Sequence, residues 1–122
     1  MATMALEAHV HTEDSGPVLE LVGDVDGRAE EALGAAYTEA GEASAVMLDF
    51  HGVTYMNSTG IALIVGLLAR ARKDGGGILC CGLSDHYLEI FEITRLVDFM
   101  QMVPDEDAAV AGRATVEERT EL

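Results

Sequence analysis

The chain has 122 residues, a length that suits one domain with a single buried core. Its 22 acidic residues against 7 Lys and Arg give a formal charge of −15, which repels a phosphate backbone and argues against direct nucleic-acid binding. The first residues include Glu7, His9 and His11 and no apolar run of secretory length, and the longest apolar run, 61–69, falls well short of the roughly 20 residues that span a bilayer, so a soluble cytoplasmic protein is expected.

Residues 6–11 and 18–22 read as two strands joined across Glu13-Asp14-Ser15-Gly16-Pro17, where Gly and Pro mark a turn. After a second turn at 23–27, the alanine-rich stretch 28–40 predicts a helix. The run Val46, Met47, Leu48, Phe50 is bounded by Asp49, His51 and Gly52 and suits a strand at 46–50 covered on both faces. From Ile61 the apolar residues recur at helical spacing, with Ile61, Ile64, Val65 and Leu68 on one stripe and basic residues in the last turn, giving a helix over 58–74. A strand at 78–81, a helix at 84–93 capped by Ser84 or Asp85, a short strand at 99–103 and a final helix at 105–119 with an acidic, fraying tail complete the order. Alternating helices and strands imply a sheet covered by helices, and the early hairpin makes that sheet mixed. Right-handed crossovers place the helices that follow 46–50 on one face, and the Asn57 loop at the carboxyl end of a strand, where α/β folds commonly carry their sites.

Asn57, Ser58 and Thr59 can each cap a helix through a side-chain oxygen. One reading of this tripeptide is a structural N-cap. The other is a phosphate-accepting serine at the positive end of a helix, where modification adds about −1.5 to −2 charges. The second helix has more apolar residues than one stripe needs, so Ile61 or Leu63 is a candidate interface anchor if exposed beside Ser58.

Tyr55-Met56-Asn57-Ser58-Thr59-Gly60, followed by an aliphatic helix with basic residues at its end, resembles the signature of STAS-domain anti-sigma factor antagonists. The likeness extends to Leu21-Val22-Gly23-Asp24-Val25-Asp26 and to Ile90-Phe91-Glu92-Ile93-Thr94-Arg95-Leu96, and covers roughly residues 5–112. It implies a single STAS domain over 1–122, an α/β fold with a mixed, mostly parallel sheet of four to five strands against about four helices. By the same resemblance Ser58 is the phosphorylation site, with Thr59 second. Asp24, Asp26, Asn57, Ser58, Thr59, Gly60, Ile61 and Leu63 form the partner-binding set. The partner is an anti-sigma factor with serine kinase activity; a phosphatase is a further candidate, and Asp26 is a candidate for supporting phosphoryl transfer. Binding of the unmodified chain frees a sigma factor, and phosphorylation releases the partner. The chain departs from the family at Asn57, where aspartate is usual. Asparagine keeps the cap but removes a charge beside the acceptor, which brings forward the alternative of a constitutive STAS module in a larger complex, such as one with a lipid-transporter ATPase. A small-molecule or nucleotide sensor using the polar loop is a third class.

Other constellations carry less. His9 and His11 are two apart on a strand, without a third ligand for a metal, and no metal or cofactor is expected. His51 and Ser58 lack the Gly-x-Ser-x-Gly elbow of a hydrolase, since Met56 occupies the first glycine position, and the chain is read as no enzyme. Gly75 to Gly77 has no following phosphate-loop lysine, and Asp105, Glu106 and Asp107 lack calcium-loop spacing. Cys80 and Cys81, adjacent on a strand, face opposite ways and read as packed thiols of a reducing compartment.

Overall fold

In the computed structural model, residues 4–13, 16–40 and 45–103 are described. The expected final helix at 105–119 lies outside them. Among the described residues five strands are formed: β1 (Glu7–Glu13), β2 (Gly16–Val25), β3 (Ala45–Met56), β4 (Gly77–Cys81) and β5 (Gln101–Met102). Three α-helices join them: α1 (Glu30–Ala40), α2 (Ser58–Lys73) and α3 (Asp85–Ile93), with 3-10 turns at Gly27–Ala29 and Leu96–Phe99. The sheet order is β1-β2-β3-β4-β5, antiparallel between β1 and β2 and parallel elsewhere. The fold is thus the mixed, mostly parallel α/β architecture expected.

Apolar residues on both faces bury the first half of β3, residues 45–50, as its sequence implies. Val46, Leu48 and Phe50 join Leu19, Leu21, Ile78 and Cys80 in the main core, against all three helices. Ala45 and Met47 join Val18, Leu79 and Cys81 in a second cluster on the opposite face. The two cysteines therefore do point apart, and both are reduced and buried. Burial pushes the Cys80 thiol pKa far up, so that side chain is an inert packing group.

Two strand ends differ from expectation for one physical reason. The sequence suggests strands ending before Gly23 and Gly52, yet β2 runs to Val25 and β3 to Met56. At Gly52 a Cβ would lie 2.8 Å from the Leu21 carbonyl oxygen, and the β2–β3 register shifts between Glu20 and Val22. Gly52 thus marks a close approach of two backbones rather than a strand end. At Gly23 (φ 109°) a Cβ would meet the Ala5 oxygen at 2.9 Å, where Ala5 bridges to Asp24. These extensions carry both strands up to the Asn57 loop.

The buried stripe of α2 is Ile64, Leu67, Leu68 and Ala71, at i, i+3, i+4 and i+7. Val65, expected on that stripe, is 43% exposed, because one residue turns the helix by about 100°. Arg70 lies over the Tyr37 ring at 4.5 Å and donates to Thr38 Oγ1 at 2.9 Å, while Tyr37 OH donates to Asp74 Oδ2 at 3.2 Å. These contacts lock α1 to α2. Burial, and then the Asp74 hydrogen bond, raise the Tyr37 pKa. Phe91 of α3 meets Phe50 edge-on, with centroids 6.2 Å apart, and Ser84 caps that helix.

The candidate phosphoacceptor loop and its surroundings

The site is built where β2 and β3 both end. Asn57 N–H donates to the Val25 carbonyl at 3.2 Å, which stitches the loop to the end of β2. Asn57 is extended (φ −109°, ψ 178°), and its side-chain oxygen accepts from Gly60 N–H at 2.8 Å while its carbonyl accepts from Ile61 N–H at 2.9 Å. Of the three candidate caps, Asn57 therefore does the capping. Ser58 and Thr59 occupy the first helical positions and are exposed. Their amides head α2, where the partial positive charge of the helix is concentrated.

Close approach explains Gly60. A Cβ there would lie 1.7 Å from the Val25 carbonyl oxygen, so α2 meets β2 through a bare backbone. Thr59 reaches the turn after β2, where its methyl would be 3.4 Å from a Cβ at Gly27.

That turn holds the second part of the site. Asp26 is an N-cap: its Oδ1 accepts from Arg28 N–H at 2.9 Å, and the Arg28 guanidinium returns to both Asp26 oxygens, with Nη2 to Oδ2 at 2.8 Å. The Arg28 side chain, hydrogen-bonded to the carboxylate, holds the Asp26 pKa below its ordinary value of 3.8. Asp24 is buried at 5% exposure, accepts from Thr54 Oγ1 at 3.0 Å and lies 3.9 Å from Arg28 Nη2. It is an internal brace between β2 and β3 rather than a surface contact.

From the other side, Met56 N–H donates to Tyr87 OH at 2.9 Å, which ties the loop to α3. Ile61 and Leu63 are half-buried and packed against the main core, so the condition that would make either an exposed anchor is not met. Tyr55, 49% exposed at the end of β3, is the large apolar surface nearest Ser58 in sequence. The structure brings Asp26, Asn57, Ser58, Thr59 and Gly60 together where β2 and β3 end. Arg28, Tyr55 and Tyr87 lie beside them without having been singled out in the sequence. Arg28 was legible as the one cation two residues after Asp26, whereas Tyr87 is brought in only by the tertiary fold.

A family model described as "Mlab, STAS domain" matches residues 8–104. The chain is 24% identical over 108 residues to the anti-sigma-B factor antagonist of Bacillus subtilis, covering 88% of this chain and 99% of that protein. It is 34% identical over 61 residues to the anti-sigma-B factor antagonist of Listeria monocytogenes, a match spanning 50% of this chain and 54%, about half, of that relative. In fold it is similar to the anti-sigma factor antagonist SpoIIAA in its unphosphorylated form (TM-score 0.70, 21% identity, covering 88% of this chain and 96% of that one). It is also similar in fold to a sulfate transporter family protein from Wolinella succinogenes (TM-score 0.73, 16% identity, covering 88% and 92%). With the mixed sheet, the capped loop after β3 and a family match over most of the sequence, the chain belongs to the STAS domain family.

Proposed function

We propose that this chain is a non-enzymatic anti-sigma factor antagonist of the bacterial cytoplasm, switched by phosphorylation of Ser58. Its partner is an anti-sigma factor that is also a serine kinase; the unmodified chain binds it and frees a sigma factor. One observation carries the reading: Asn57 performs the capping, which leaves the exposed Ser58 hydroxyl without a structural duty at the head of α2. A phosphate there gains the favourable end of the helix dipole, so the modified chain stays folded. The same phosphate must be desolvated when the partner docks, at a cost of about 2 to 5 kcal/mol, or roughly 30-fold or more in affinity. The contact face comprises Asp26, Thr59 and Ser58, backed by Asn57, Gly60, Ile61, Leu63 and the buried Asp24; Thr59 is the lesser acceptor, and a phosphatase resets the switch.

Asn57 favours a second reading, a constitutive STAS interaction module in which Ser58 is a contact and never an acceptor. The two separate in calorimetric titration of the anti-sigma factor of the chain's own organism against the unmodified chain and against the chain carrying phosphoserine at 58. A loss of affinity of about 30-fold or more supports the switch; equal affinities support the constitutive module.

A further inference from the structure

The sheet face opposite the three helices carries an uncommon set of side chains. The β3–β4 register pairs Asp49 with Cys81, so both project from this face side by side, and His51 follows two residues later on the same side. Their donor atoms, an Asp49 carboxylate oxygen, a His51 ring nitrogen and Cys81 Sγ, all lie within 4.8 Å of one another. Asp49 and Cys81 are buried at 7% and 1% exposure, whereas the His51 side chain is 59% exposed. The group is thus anchored in the sheet and open to solvent on the histidine side.

A second observation concerns how His51 is held. Its backbone N–H donates to Asp49 Oδ1 at 2.9 Å, and its Nδ1 lies 2.7 Å from the same oxygen. At Gly82, with φ 82°, a Cβ would sit 2.5 Å from His51 N and 2.7 Å from both Cγ and Nδ1 of the ring. The residue after Cys81 must therefore be glycine for the imidazole to lie where it does. The ring is seated against the end of β4 on one side and open to solvent on the other.

From this arrangement we propose a site for a single divalent transition-metal ion of zinc type, ligated by Asp49, His51 and Cys81, with water in the fourth position. One sulfur, one nitrogen and one oxygen suit a borderline ion such as zinc and are poor for magnesium or calcium. Bonds of about 2.0–2.3 Å to a tetrahedral centre place ligand atoms about 3.3–3.6 Å apart, the same scale as the observed donors, which lie within 4.8 Å of one another, and the Asp49–His51 hydrogen bond opens as the ion enters. As the sulfur–metal bond forms, the Cys81 thiol releases its proton to solvent. The site is separate from the Ser58 loop and does not depend on the function proposed for it.

Cobalt(II) and zinc(II) added to the purified reduced chain test this. The expected result is one cobalt per chain with a sulfur-to-cobalt charge-transfer band, displaced by zinc. Cys81→Ser removes the band, whereas Cys80→Ser, which alters the helix-facing thiol, retains it. The exposed His51→Ala, which keeps the fold by circular dichroism, weakens zinc binding about tenfold or more even if Cys81→Ser fails to fold. Absence of the band, its survival in Cys81→Ser, or zinc binding unchanged in His51→Ala but lost in His9→Gln/His11→Gln overturns the proposal.

Discussion

At Asn57 the choice of residue has separable consequences. Its side-chain oxygen caps α2 through Gly60 N–H, so Asn57→Ala is expected to cost about 1 kcal/mol in denaturant unfolding, while Asn57→Asp keeps the cap and holds stability or raises it slightly. Gly60 and Gly66 form a matched pair on the same helix. A Cβ at Gly60 would collide with the Val25 carbonyl, whereas none at Gly66 would meet an atom within 4 Å outside its own helix. Gly60→Ala should therefore lose about 3 kcal/mol or more, and Gly66→Ala should gain about 0.5–1 kcal/mol through lower chain entropy. The opposite signs are readable in one urea series. Asp26 sets a pH dependence through its bond to Arg28. A carboxylate whose pKa falls on folding contributes stability above its unfolded value and loses it as pH drops through the folded one. The Asp26 contribution is thus complete at neutral pH and fades as pH falls through 3.8 toward the lower folded value. Carboxyl NMR titration should give a midpoint below 3.8 that returns toward it in Arg28→Ala; an unchanged midpoint in that variant contradicts the assignment.

Among the elements, α3 is what fixes the loop from outside the β2–β3 pair. Tyr87→Phe removes the acceptor for Met56 N–H and should cost about 0.5–1.5 kcal/mol, with faster amide exchange at Met56 as its local signature. The order of strands and helices up to residue 103, the reach of α2 and the cap at Ser84 were legible because each rests on local chemistry: apolar period, cap oxygen and glycine at an end. The lengths of β2 and β3 were not, because Gly23 and Gly52 serve a backbone approach that only the paired strand reveals. The α2 stripe was displaced for a similar reason, since Ile61, Leu63 and Val65 look equivalent in sequence and only packing against the sheet ranks them. The last strand begins at Gln101 rather than Phe99, because 96–99 close a 3-10 turn headed by Arg95, whose guanidinium binds Asp98 at 2.8 Å. Both sheet edges are protected from further pairing: β1 carries Glu7, His9, His11 and Glu13 on its helix-free side, and β5 is only two residues long.

Over the whole molecule, a formal charge of −15 surrounds a loop whose immediate groups are Asp26, Arg28 and the head of α2. A partner with a basic face is attracted at long range, so association with the proposed anti-sigma factor partner should slow about tenfold or more as ionic strength rises from about 0.05 to 0.5 M, while dissociation changes little. Stopped-flow measurement of both rates checks this. The chain belongs to the STAS domain family, both proposed readings make it a binding partner, and what divides them is whether Ser58 is ever modified. The direct measurement is incubation of the chain with ATP and its anti-sigma factor partner, copurified from the native cell, followed by intact mass and peptide mapping. One phosphate on Ser58, none in Ser58→Ala, and release of the partner on modification are expected. A stable complex that leaves Ser58 unmodified in the presence of ATP would contradict the switch and establish the constitutive module instead.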